Sequence, residues 1–170
     1  MKRTAIACGV LLLLTSLAAQ AQVDKKSETA EPKNIEMPAQ GWTVNCASAA
    51  EGLVCKATQS IIVAQTRQLL VAVSVSKLSG TAGYVMSLLL PHGIFLPAGT
   101  SAQVDADPAQ ALIIESCDQR GCYANMPIPD KVLAAMRKGG VLTVAFQNLA
   151  KDNVKVQLPL AGFPEALKKL

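Results

Sequence analysis

From Trp42 onward, apolar residues recur at every second position in short runs broken by Gly, Pro, Asn and Asp. That period of two is the mark of strands that bury one face. Trp42-Thr43-Val44-Asn45-Cys46 alternates, Leu53-Val54-Cys55-Lys56-Ala57 brings the chain back, and 60–64 is a further short run. In 69–77 the β-branched Val71, Val73 and Val75 share one face, leaving Ala72, Ser74 and Ser76 on a face expected to be solvated. The stretch 84–90 is almost wholly apolar and reads as a central strand covered on both sides. Later, Leu142, Val144 and Phe146 share a face, as do Val154, Val156, Leu158 and Leu160. Ala150-Lys151-Asp152-Asn153 between them predicts a turn and an antiparallel hairpin. Trp42, Phe146 and Phe163 are expected in the core.

Two stretches depart from the strand period. In 130–138, Val132, Leu133 and Met136 fall on one helical face, and Arg137-Lys138 complement the C-terminal dipole. Asp130 is expected as the N-cap and Gly139-Gly140 as the stop. Gly162-Phe163-Pro164 ends the last strand and begins a short helix, with Phe163, Ala166, Leu167 and Leu170 free to dock. The Pro- and Gly-dense 91–99 is a connection with tight turns, and His92 within it reads as a turn histidine, since no Ser, Cys or carboxylate partner stands out. The predicted fold is mainly β: an antiparallel β-sandwich or barrel-like domain with one short internal helix and a short C-terminal helix. Alternation does not choose between sandwich and barrel.

The N-terminus has a different character. Met1-Lys2-Arg3, an apolar run with Leu11–Leu14, and Ala19-Gln20-Ala21 make a secretory signal peptide over 1–21. Its apolar run is too short for a permanent span, so no transmembrane segment is expected after cleavage. Residues 22–40 are charged and poor in large apolar side chains, and read as a flexible leader. The remaining 41–170 is expected to be a single disulfide-clipped β domain.

Cysteine usage fits export. Cys8 leaves with the signal peptide, and an even set remains: Cys46, Cys55, Cys117 and Cys122. Four cysteines allow three connectivities. Each of the two sequential pairs flanks a Gly-bearing, hairpin-like loop, which favours Cys46–Cys55 and Cys117–Cys122. A zinc site would ask for C-x₂₋₄-C spacing, whereas the first pair has eight intervening residues and the lone His92 is distant from both pairs. A dithiol oxidoreductase would ask for C-x-x-C opening a helix, and Cys117-x₄-Cys122 stands between strands. Between those two cysteines, Asp118, Gln119 and Arg120 form a polar tip that a disulfide would hold ready for a partner; Arg120 is the candidate contact there, against the plainer reading of a solvated turn residue.

Catalytic motifs are missing. The chain has no G-x-S-x-G, H-E-x-x-H, phosphate-cradling Gly loop or G-x-G-x-x-G. Asp105 and Asp107 stand close together before Pro108, which reads as a solvated turn sooner than a calcium site. The formal net charge of +4 falls to +2 once Lys2 and Arg3 leave, and no basic block is interleaved with aromatics, so nucleic acid is excluded as a partner. Six aromatic residues in all argue against a sugar-stacking surface. No catalytic group, cofactor or metal is expected.

One ordered set of motifs remains. It comprises Gly41-Trp42-Thr43-Val44-Asn45-Cys46, the return from Cys55 to Gln59, and Pro91-x-Gly93-x-x-Leu96-Pro97-x-Gly99. Cys117-x₄-Cys122 with Gly121 follows, then Lys138-Gly139, and then Leu158-Pro159-Leu160-Ala161-Gly162-Phe163 with Ala166-Leu167. In this order the chain resembles the invasion-associated locus B family of bacterial exported proteins, over essentially all of 41–169. The resemblance implies a periplasmic or outer-surface protein of Gram-negative bacteria, named for a role in host-cell invasion, with no catalytic residues to carry over. The expected function is non-enzymatic: contact with a protein partner or with a host-cell or envelope surface, in attachment or invasion. The rival expectation is an envelope thiol-disulfide or stress-protection protein using Cys117 and Cys122.

Overall fold

The computed structural model describes residues 41–49, 52–80 and 82–170. The expected signal peptide and leader, 1–40, lie outside the described residues. In chain order the strands are β1 (Thr43–Ala49), β2 (Gly52–Ile62), β3 (Leu69–Lys77), β4 (Tyr84–Leu90), β5 (Thr100–Val104), β6 (Gln110–Leu112), β7 (Ile114–Asp118), β8 (Gly121–Pro127), β9 (Val141–Gln147) and β10 (Asn153–Pro159). Helix α1 (Asp130–Lys138) lies between β8 and β9, and α2 (Phe163–Leu167) follows β10.

The strands form two antiparallel sheets, one ordered β1-β2-β3-β4-β8-β7 and the other β10-β9-β5-β6. The sheets do not join into a closed barrel, so the fold is the sandwich. Alternation explains the shared interior. Val71, Val73 and Val75 of β3 and Met86, Leu88 and Leu90 of β4 pack in one core with Leu142, Val144 and Phe146 of β9 and Val156 and Leu158 of β10. Phe163 is fully buried, and Trp42 is half-buried against it, the rings meeting edge-on at 4.7 Å. The Trp42 indole Nε1–H donates to the Pro159 carbonyl at 3.1 Å, which satisfies its polar end.

Several expectations change. In β4 only alternate residues are fully buried, so it is central in its sheet but not covered equally on both faces. The face of β3 carrying Ala72, Ser74 and Ser76 keeps only partial exposure to solvent, because side chains of the flanking β2 and β4 cover part of it. The run 60–64 is no separate strand; β2 continues through it to Ile62, with a register shift at Ile61/Ile62. Pro129, not Asp130, is the N-cap of α1, and no side chain caps that end. Asp130 stands inside the first turn, where its charge still suits the dipole. Asp105 also has a structural role, since its carboxylate accepts the Gly140 and Val141 N–H groups at 2.9–3.2 Å and so fixes the chain as it leaves α1 for β9.

Because every pairing in the larger sheet is antiparallel, strand directions alternate across it. The β1–β2 connection therefore lies at one end of the sheet, and the β7–β8 connection at the other. β1 and β7 are also the two edge strands.

Candidate functional site: two clipped hairpins and a braced polar tip

Each hairpin carries one disulfide across directly opposed residues. Cys46 faces Cys55 with a Cα separation of 4.0 Å, and Cys117 faces Cys122 at 3.9 Å. Both hairpins are tighter than their cysteine spacing implies. Ala47, Ser48 and Ala49 continue the β1 ladder opposite Val54, Leu53 and Gly52, so most of the expected first loop is strand. In the second hairpin Asp118 pairs with Gly121, which reduces the expected four-residue loop to the turn Gln119-Arg120.

The first hairpin projects past the core. Residues 45–48 and 52–54 are all exposed, although successive residues point to opposite faces. A hairpin solvated on both faces has left the sandwich behind, and Leu53, 69 % exposed, is its most accessible large apolar side chain.

The second hairpin stays against the core on one side. Cys122 and Ala124 of β8 are buried, while Cys117 on the edge strand is exposed. Gly121 is required here: its φ is +149°, and a Cβ would strike the Leu90 carbonyl oxygen and approach Leu89 Cδ1 to 2.9 Å.

The predicted tip residues are brought together, though not with equal roles. Asp118 is the hub. Its Oδ1 accepts the Arg120 backbone N–H at 2.8 Å, and its Oδ2 accepts Arg120 Nη2 at 3.2 Å. The Tyr123 hydroxyl lies 3.0 Å from both carboxylate oxygens, and the Arg120 guanidinium lies 5.6 Å from the centre of the Tyr123 ring. The Arg120 N–H holds the Asp118 carboxyl below its usual range, assisted by Tyr123 and the guanidinium. Partial desolvation, followed by the hydrogen bond to Asp118, pushes the Tyr123 phenol up. Gln119 is exposed, and no hydrogen bond of its side chain is seen.

His92 adds a second brace. Its Nε2 lies 2.7 Å from the Asp118 carbonyl oxygen, and a carbonyl only accepts, so Nε2 carries the hydrogen. The bond ties the connection after β4 to the tip. His92 also lines a groove of about 160 Å³ with Leu69, Leu70, Pro91, Ile94 and Phe146, so a small apolar recess adjoins the braced turn.

Reading the sequence found Asp118, Gln119 and Arg120 but missed Tyr123 and His92. Tyr123 had a signal in strand parity: with Asp118 opposite Gly121, Asp118 and Tyr123 lie on the same face, one diagonal apart. His92 had no local signal, because its partner is a backbone carbonyl 26 residues away.

Among the described residues no group of three or more His, Cys, Asp or Glu side chains could hold a metal ion. No described helix is long and apolar enough to cross a membrane. The family model for invasion associated locus B (IalB) proteins matches residues 42–170, the whole sandwich. The chain belongs to the IalB family. Among solved structures it is similar to invasion associated protein B from Bartonella henselae, at 25 % identity and a TM-score of 0.69, covering 75 % of this chain and 88 % of that one. No curated protein matches the chain. In this IalB-family chain, three of the ordered motifs have structural uses: the Trp42 segment packs on Phe163 beside Pro159, and Gly121 admits the second clip under Leu90.

Proposed function

We propose that this IalB-family chain is an exported, non-enzymatic protein that acts at the bacterial envelope or a host-cell surface by protein contact. In this reading the braced turn Asp118-Gln119-Arg120 is part of the contact surface. One observation carries it: an exposed polar turn is held at once by a disulfide, by the Asp118–Arg120–Tyr123 bonds and by His92. A tip held in one shape loses little entropy on binding, and Arg120 keeps 76 % of its side chain accessible despite its bond to Asp118. The name of the Bartonella henselae relative supports a role in invasion for the family. Paired cysteines support passage through an oxidising compartment.

The thiol-disulfide alternative has less support. Cys117 and Cys122 face each other across two strands, and neither opens a helix as the thiolate of a dithiol oxidoreductase does. A reduction potential below about −300 mV is expected for this pair, and a value near those of oxidoreductases would restore the alternative.

The contact reading is tested with Arg120→Ala. The expected result is an unchanged melting temperature with partner capture or host-cell attachment weakened about tenfold or more, as for an interface hot spot. Unchanged stability together with unchanged capture rejects the tip as a contact. Equal loss of both makes Arg120 structural.

A further inference from the structure

At the end of the larger sheet opposite the braced turn lies a groove of about 310 Å³, lined by Lys77, Tyr84, Arg137, Pro164, Leu167, Lys168 and Leu170. Three separate parts of the fold build it. Lys77 and Tyr84 are a register pair at the adjoining ends of β3 and β4. Arg137 comes from the last turn of α1, and the remaining residues come from α2 and the chain that follows it. Three cations therefore converge from elements distant in sequence, and no block of basic residues announces them.

Their partners are few. Lys77 and Arg137 make no ion pair among the described residues. Lys168 binds Glu165 at 2.9 Å, but both side chains are about 70 % exposed, so water screens that pair and an arriving anion competes with it. Arg137 has one evident structural use, offsetting the partial negative charge at the α1 C-terminus. That use does not consume the guanidinium donors, and the residue is exposed. The opposite wall is apolar: the half-buried Tyr84, with Pro164 and the buried Leu167.

We propose that this groove binds a phosphate-bearing ligand with a less polar body. The phosphate is received by Lys77, Arg137 and Lys168, and the body lies against Tyr84, Pro164 and Leu167. Arg offers a planar fork to phosphate oxygens and Lys a mobile point charge, a pairing suited to a phosphate group. Two sources share this chemistry, a soluble phosphate ester and a phospholipid headgroup. The groove and the Gln119-Arg120 turn are at opposite ends of the sheet, so variants in one leave the other intact and the two readings fail separately.

The test uses the purified protein with glycerol 3-phosphate in calorimetry. In parallel it uses cosedimentation with vesicles of phosphatidylglycerol and phosphatidylcholine, compared with phosphatidylcholine alone. Saturable binding of glycerol 3-phosphate, with glycerol inert, supports a soluble ester. Binding only to the phosphatidylglycerol vesicles supports a headgroup. In either case Lys77→Gln and Arg137→Gln should each weaken binding about tenfold or more, as expected for losing one charged hydrogen bond, with melting unchanged. Lys155→Gln, an exposed lysine of β10 outside the groove, should leave binding unchanged. No saturable binding to either probe overturns the proposal. Equal weakening by Lys155→Gln also overturns it, because net charge would then be the cause.

Discussion

Asp118 decides how the second hairpin presents itself, because Arg120 and Tyr123 share its carboxylate and His92 holds its backbone carbonyl. The carboxylate is exposed, so its role is geometric, and its ionisation is the handle by which it can be tested. Its folded pKa is depressed, so its bonds to Arg120 and Tyr123 are fully present above the ordinary carboxylate value of 3.8 and are lost as pH falls through the lowered one. Tyr123 has the opposite sign. Its neutral form is favoured, so its contribution is complete below 10.0 and is lost as pH rises through the raised value. In a Tyr84→Phe background, which leaves one tyrosine in the described residues, the ultraviolet ionisation midpoint of Tyr123 should lie above 10.0, and Asp118→Asn should move it down. An ordinary midpoint indifferent to that substitution would mean the brace does not form in solution. At this scale the sequence displayed the tip but not its supports. Composition marks a polar turn, whereas the roles of Tyr123 and His92 depend on register and on a distant carbonyl.

At the scale of elements, strands with a buried face were legible and strands without one were not. β3, β9 and β10 alternate because the core selects every second residue. The outer part of the β1–β2 hairpin touches no core, so nothing imposes a pattern on Ala47, Ser48 or Leu53, and paired strand there reads as loop. The start of α1 misled for a related reason: Asp is favoured as an N-cap, but Pro129 already has the extended geometry of that position, with φ −61° and ψ 145°. Turn chemistry supplies a sharper test. Gly121 combines a positive φ with a collision beneath Leu90, whereas Gly162 has a positive φ and open space around it. Gly121→Ala should therefore cost roughly 2–4 kcal/mol in chemical denaturation, and Gly162→Ala only about 1–2 kcal/mol. Equal costs would show that the β4 backbone yields to the extra carbon.

The whole molecule rests on one core shared by both sheets, and Phe146 occupies it from β9 with 6 % of its surface exposed. Phe146→Ala should lower stability by about 3–5 kcal/mol in equilibrium denaturation, without selective loss of partner capture. A stable variant that has lost capture would move Phe146 from the core to a contact surface. The choice of sandwich over barrel could not be read from the chain, because both bury alternate residues and differ only in which strands remain edges. Here β1 and β7 are the edges of the larger sheet, and each is joined by a disulfide to its inner neighbour. Edge strands are where two copies of a β protein most readily trade segments or slide past their partners. In this protein, neither edge can be traded alone or shifted by a residue while its disulfide is closed; a covalent bond would have to break first. The clips therefore guard the two places where an unclipped sandwich would be most open to strand exchange.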